Sequence, residues 1–179
     1  MLNKFYNKIA KGERTIGKLI KFIAVFILIY AAFSLAGFLF PVDRPWYDGL
    51  DKPSWTPSGS TIGIIWAILY GFIAFSVTYA GFKNGFKQLG VWFWSTFIIN
   101  YITNQLFSFF QFDLKDLLLA AVDTSLVALS SLLLVILLFR WEKLSALLLI
   151  PYFLWSLFAT FLAFTFFQMN PDQTFFSWM

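Results

Sequence analysis

The side chains best suited to do chemistry in this chain are aromatic rings and amides, and they fall in three stretches. Residues 46–70, WYDGLDKPSWTPSGSTIGIIWAILY, hold three tryptophans (Trp46, Trp55, Trp66) and two tyrosines (Tyr47, Tyr70). Each offers a large flat apolar face with one polar edge. Thr96, Asn100, Asn104, Ser108 and Gln111 recur at intervals of four, four, four and three, which puts them on one face of a helix. Pro151, Trp155, Phe158 and Ala159 share a face of a later run, and the alanine one turn past Trp155 leaves room for a flat guest. One kind of pocket follows: aromatic walls from Tyr47, Trp66 and Trp155, an amide patch from Asn100, Asn104 and Gln105, and a Pro/Trp-rich lid. Such a site holds a flat, apolar molecule with few polar edges by stacking and one or two hydrogen bonds. Tetrapyrroles and sterols both answer that description.

What is missing narrows the chemistry further. The 179 residues include no histidine and no cysteine, so the usual general base, the commonest metal ligand and any thiol nucleophile are excluded. No metal site is expected. Asp123 is the one ionisable side chain well inside an apolar run. An intramembrane carboxylate is by default a functional candidate. A hydrogen-bonded aspartate that bridges helices explains it equally well.

The elements that must position these groups are membrane helices. Hydrophobic residues make up 60% of the chain and charged ones only 12%, more apolar surface than a soluble domain of this size can hide. A span needs about 20 apolar residues. Five runs qualify, residues 22–40, 61–82, 91–112, 117–139 and 144–168, which predicts an all-α integral membrane bundle of five transmembrane helices. A structured Trp/Pro-rich loop, residues 41–60, joins the first two. Pro53 and Pro57 bar a regular helix through that loop. Residues 1–21 form a basic tail, either a helix on the anionic inner leaflet or a solvated coil, and residues 169–179 a short C-terminal tail. Ten Lys and Arg lie in the N-terminal tail and the second and fourth connections, against three in the first and third. The positive-inside rule then puts the N-terminus in the cytoplasm, and loop 41–60 and the C-terminus outside. The net charge of +4 therefore reflects orientation, and no nucleic-acid partner is expected. The polar stripe of the third span must face the bundle, where it either lines a cavity or bonds helix to helix.

The run WYxxLxKPSWTP at residues 46–57, followed by WxxLY at 66–70, resembles the TspO/translocator protein family, the tryptophan-rich sensory proteins. A second match is PYxxWxxFAT at residues 151–160. A third, Asn100 to Gln105 with FSxFQF behind it, is similar to the bacterial members. Together they cover most of residues 41–162.

The resemblance implies a homodimer that binds porphyrins such as protoporphyrin IX, and aromatic drug-like molecules, under the first loop. It favours the cavity-lining reading of the polar stripe and implies ligand contacts from Tyr47, Trp66, Asn100, Asn104, Gln105, Ser108, Trp155 and Ala159. The expected role is sensing, sequestration or regulation of tetrapyrroles, with no cofactor required. Some members are reported to degrade protoporphyrin with light and oxygen, which would make Trp66 and Trp155 the reactive side chains. A transporter of small lipophilic molecules is the third alternative, with little in the sequence to support it. Without His or Cys, and with Met only at positions 1, 169 and 179, the usual axial ligands of haem are lacking, so free-base porphyrin is expected to bind at least as well. Thr103 and Ala163 stand where many members carry Trp and Asn. No basic residue follows Lys143, so the sterol-recognition stretch of animal members is missing and sterol binding is not supported.

Overall fold

The computed structural model describes residues 2–174, with side chains from Thr15 onward, and every regular element among them is helical. Helix α1 (Leu2–Ser34) is followed by one turn, α2 (Ala36–Leu39), and by the short α3 (Arg44–Gly49). The long helices α4 (Gly59–Asn84), α5 (Gly90–Ser108), α6 (Leu117–Phe139) and α7 (Lys143–Met169) complete the fold. Helix α1 packs on α4, α4 on α7, α7 on α6 and α6 on α5, while α5 returns to α1. Among the described residues, four helices are long and apolar enough to cross a membrane: α1 from Thr15, α4, α6 and α7. Helix α5 is not among them, because its turns carry Asn100, Thr103, Asn104 and Gln105.

The distribution of polarity is inverted relative to a water-soluble protein. Phe38 is 84% and Trp92 77% exposed, whereas Asn100 and Ser131 are fully buried. Lipid tails accept the former, and the latter find partners only inside the bundle.

Local chemistry sets the helix ends. The Asp43, Ser58 and Asp116 side chains accept hydrogen bonds from the backbone N–H groups of Trp46, Thr61 and Leu119, capping α3, α4 and α6. Gly85 (φ 92°) and Gly90 (φ 79°) flank a 3-10 turn, Phe86–Leu89, in a conformation that glycine adopts without strain. Helix α5 runs into a π turn, Phe109–Asp113, and the chain reverses at Lys115, also at positive φ.

Two boundaries differ from expectation. The run at residues 22–40 is not one helix: the backbone is already helical from Leu2, and α1 stops at Ser34. Loop 41–60 contains α3, which Asp43 and Pro45 nucleate. The side chains of Lys4, Lys8, Lys11 and Arg14 lie outside the described residues, as do residues 175–179 of the C-terminal tail.

The break after α1 has a specific partner. Gln105 on α5 accepts from the Ala36 N–H (2.9 Å) and donates to the Phe33 carbonyl (3.3 Å). It thereby serves backbone groups that the interrupted helix leaves open. Gln105→Leu is expected to cost about 2–4 kcal/mol, because both groups lose their partner in apolar surroundings. A lower unfolding temperature in detergent would report it, and an unchanged one would show that the break finds other partners.

Candidate ligand-binding site

Between the helices and beneath α3 lies a cavity of about 430 Å³. That volume falls in the range of small-molecule pockets. Its walls are the flat faces of Tyr47, Trp66, Tyr70, Phe107 and Phe112, with small residues Gly37, Gly63, Ala67 and Ala159 between them. Asn104, Ser108, Thr124 and Ser156 add polar points, and Arg44 and Asp48 of α3 bring charge. A side chamber of about 80 Å³ shares Tyr47, Trp66, Phe107, Phe112 and Ala159 with it and continues to Trp155, Gln111 and Ala163. The Trp155 ring nitrogen is buried there without a hydrogen-bond partner.

Five of the expected ligand contacts meet at the main cavity: Tyr47, Trp66, Asn104, Ser108 and Ala159. Trp155 reaches the side chamber only. Asn100 and Gln105 line neither. Asn100 is fully buried, donating to Ser130 Oγ (2.8 Å) and accepting from the Tyr152 hydroxyl (3.0 Å). Gln105 is committed to the α1 break. Asp123 is 3% exposed, and one of its carboxyl oxygens has no hydrogen-bond partner. Thr103 turns its hydroxyl back to the Ile99 and Asn100 carbonyls, away from the cavity. Ala163 helps form the side chamber, where a larger residue would intrude.

Several further residues line the main cavity. Ser34 and Gly37 interrupt the later half of the first apolar run, and Arg44 and Asp48 flank the Trp46-Tyr47 pair. Thr124 and Ser156 are ordinary small polar residues of apolar helices, and periodicity alone does not mark them.

The lid is anchored by residues far along the chain. Asp51 and Asn170 exchange two hydrogen bonds, the Asp51 N–H to Asn170 Oδ1 (2.9 Å) and Asn170 Nδ2 to the Asp51 carbonyl (2.8 Å). Trp46 Nε1 donates to Gln173 Oε1 (2.8 Å). Trp55 stacks on Phe161 of α7, centroids 5.3 Å apart and planes 17° from parallel. Trp46 and Trp55 thus fasten the lid, while Tyr47, turned inward against Phe112 and Phe166, forms its underside.

The chain matches the sequence profile of the TspO/MBR family over residues 22–169. The Tryptophan-rich protein TspO of Bacillus cereus is 54% identical over 148 residues, which span 83% of this chain and 95% of that protein. The chain belongs to the TspO/MBR family. The Uncharacterized membrane protein YtaB of Bacillus subtilis is 51% identical over 156 residues, covering 86% of this chain and 98% of the relative. The Tryptophan-rich protein TspO of Archaeoglobus fulgidus, at 31% identity, covers 80% and 94%. With its long apolar helices, this member of the family is a multi-pass membrane protein.

An ion pair ties the lid to the turn before α6. Lys115 Nζ lies 2.7 Å from Asp43 Oδ2, and Asp43 also caps α3. The hydrogen bond from Lys115, then that from the Trp46 amide, hold the Asp43 carboxyl below its ordinary range. A lowered folded-state pKa means that this stabilisation is present above the unfolded value, about 4, and is lost as pH falls through the folded one. The restraint that this pair places on the lid is therefore expected to hold through neutrality and to weaken only below about pH 4. Lys115→Met is expected to raise the release rate at pH 7 a few-fold, the small effect proper to a half-exposed pair. A stopped-flow release rate unchanged in that variant would show that the pair does not restrain the lid.

Proposed function

We propose that this protein binds porphyrin-like tetrapyrroles and other flat aromatic ligands in the lidded cavity, and acts in their sensing or sequestration. The observation that carries the reading is the pairing of Tyr47 and Trp66 at a cavity of about 430 Å³ whose other walls are mostly apolar or small, with a few polar groups among them. Flat faces gain most from a flat guest, because stacking and area burial then act over the whole surface. The cationic Arg44 beside the cavity suits an acidic substituent on such a guest.

The reading includes five spans, with α5, packed mainly on α6, as the polar-faced fifth, and a homodimer. It also includes the orientation implied by ten basic residues against three, with the N-terminus cytoplasmic and the lid outside. Family membership supports the ligand class, through what the resemblance of the motifs implies.

A second reading has one observation behind it. Trp66 and Trp155 both border the side chamber, so a porphyrin excited by light in the presence of oxygen would sit beside two oxidisable indoles. Degradation of the ligand, with both tryptophans as reactive partners, is the enzymatic alternative. The deciding experiment is a titration of the purified full chain with protoporphyrin in the dark and then under light, following tryptophan quenching and the porphyrin bands. Stoichiometric binding that survives illumination supports the binding role. Light-driven loss of the bands faster than in detergent alone, and slowed by Trp66→Phe, supports the enzyme. No quenching in the dark would overturn the ligand class.

A further inference from the structure

A chain of hydrogen bonds leads from the cavity wall into the protein core. Tyr70 Oη lies 2.9 Å from Asn104 Oδ1, and Asn104 Nδ2 lies 3.3 Å from Tyr152 Oη. Tyr152 Oη is 3.0 Å from Asn100 Oδ1, and Asn100 Nδ2 is 2.8 Å from Ser130 Oγ. Taken link by link, such a chain has no direction, because hydroxyls rotate and amides turn over.

The inner end supplies the direction. The Asn100 amide also lies 3.3 Å from the Val127 carbonyl, which can only accept. Ser130 gives its single proton to a backbone carbonyl of its own helix, Leu126 (2.6 Å) or Val127 (3.1 Å). Asn100 must therefore turn its NH₂ toward α6 and its oxygen toward Tyr152. Tyr152 then donates to Asn100 and accepts from Asn104. Asn104, its NH₂ engaged, turns its oxygen to Tyr70. Tyr70 gives its only proton to Asn104.

At the near end, Tyr70 and Asn104 both line the cavity. A tyrosine hydroxyl in a binding wall ordinarily serves as donor or acceptor, whichever the guest requires. Here the proton is spent, and the remaining capacity of the oxygen is its lone pairs. We infer that Tyr70 is a specificity-determining residue, accepting a hydrogen bond from an N–H or O–H on the edge of the ligand. Flat aromatic molecules with an edge donor are then selected over equally flat ones that present only an acceptor there. The selection is sharp because an acceptor facing an acceptor in a dry cavity leaves both without a partner. This inference rests on the reading of the cavity as a site for flat aromatic ligands.

Carbazole and dibenzofuran test it. They share one three-ring outline and differ in N–H against O at a single edge position. Equilibrium titration of the full chain in detergent is expected to show carbazole bound about tenfold more tightly, the worth of one well-made hydrogen bond. Tyr70→Phe keeps the ring, and should bring the ratio close to one by weakening carbazole. Tyr152→Phe keeps the Tyr70 hydroxyl but cuts the chain, freeing Asn104 to turn over, and should also shrink the ratio. Thermal unfolding of each variant verifies that it is folded. Equal affinities in the wild type, binding of neither compound, or a ratio that survives in either folded variant would overturn the assignment. If protoporphyrin fails to bind while the carbazole preference stands, the proposed physiological ligand falls and the role of Tyr70 does not.

Discussion

Replacing Ala159 with phenylalanine is expected to lower the affinity for protoporphyrin at least about 100-fold, or about 2.8 kcal/mol. Ala159 borders both the main cavity and the side chamber, as do Trp66 and Tyr47. It lies on α7 one turn beyond Trp155, on a face where any larger side chain projects into the space that a flat guest would take. A ring placed there fills the passage between the two chambers and removes the stacking surface without touching the core beneath. The unfolding temperature should stay within a few degrees of wild type, since the new side chain enters empty space. Ala159→Gly is the control and should bind within a few-fold of wild type. If Ala159→Phe binds protoporphyrin like the wild type, the ligand does not occupy this cavity, whatever else the protein binds.

The second large effect is on stability. Asn100→Ala is expected to cost about 3–5 kcal/mol, because the removed amide serves three groups in the core: the Tyr152 hydroxyl, Ser130 and the Val127 carbonyl. Tyr152 is fully buried, so its hydroxyl cannot turn to water for a replacement. Asn104, one turn along, should behave differently. It meets the cavity, and Asn104→Ala should weaken ligand binding more than it lowers the unfolding temperature. Thermal unfolding in one detergent, paired with protoporphyrin titration, separates the two. Equal losses of stability in the two variants would show that Asn104 is as much a part of the core as Asn100.

These expectations set the lid and the helices in distinct roles. Helices α4 to α7 build the walls from positions that packing holds in place, which suits a site meant to discriminate by shape. The lid contributes Tyr47 from above and is fastened by reciprocal bonds between Asp51 and Asn170, the Trp46–Gln173 bond and the Lys115–Asp43 pair. These three anchors are polar and partly exposed and open more readily than the apolar contacts within the helices, while the Trp55–Phe161 stack adds an apolar hold. On the proposed reading, ligand entry would require the lid to release while the walls stay fixed.

Much of this protein was legible in its amino acids. Twenty-residue apolar runs predict membrane helices because the bilayer thickness fixes their length, and the α6 boundaries, Leu117–Phe139, coincide with the expected run. Trp155 and Ala159 could be named because they recur at helical spacing, and Tyr47 and Trp66 because they stand in the aromatic-rich stretch at residues 46–70. The motifs at residues 46–70 and 151–160 pointed to the family that the comparison establishes. Periodicity could not separate Asn100 from Asn104, which lie one turn apart on the same stripe. Which of them meets empty space depends on where α6 and α7 close over α5, and only the packed structure decides that. Gln105 was out of reach for the same reason, since its partners are backbone groups freed by a break in α1, 69 and 72 residues away. The lid anchors join residues 119 and 127 positions apart. Helical period and bilayer length are local constraints that any stretch of sequence displays. Pairing between distant polar groups is settled only when the helices dock, because each group takes the partner that docking brings within about 3 Å and that burial then denies to water.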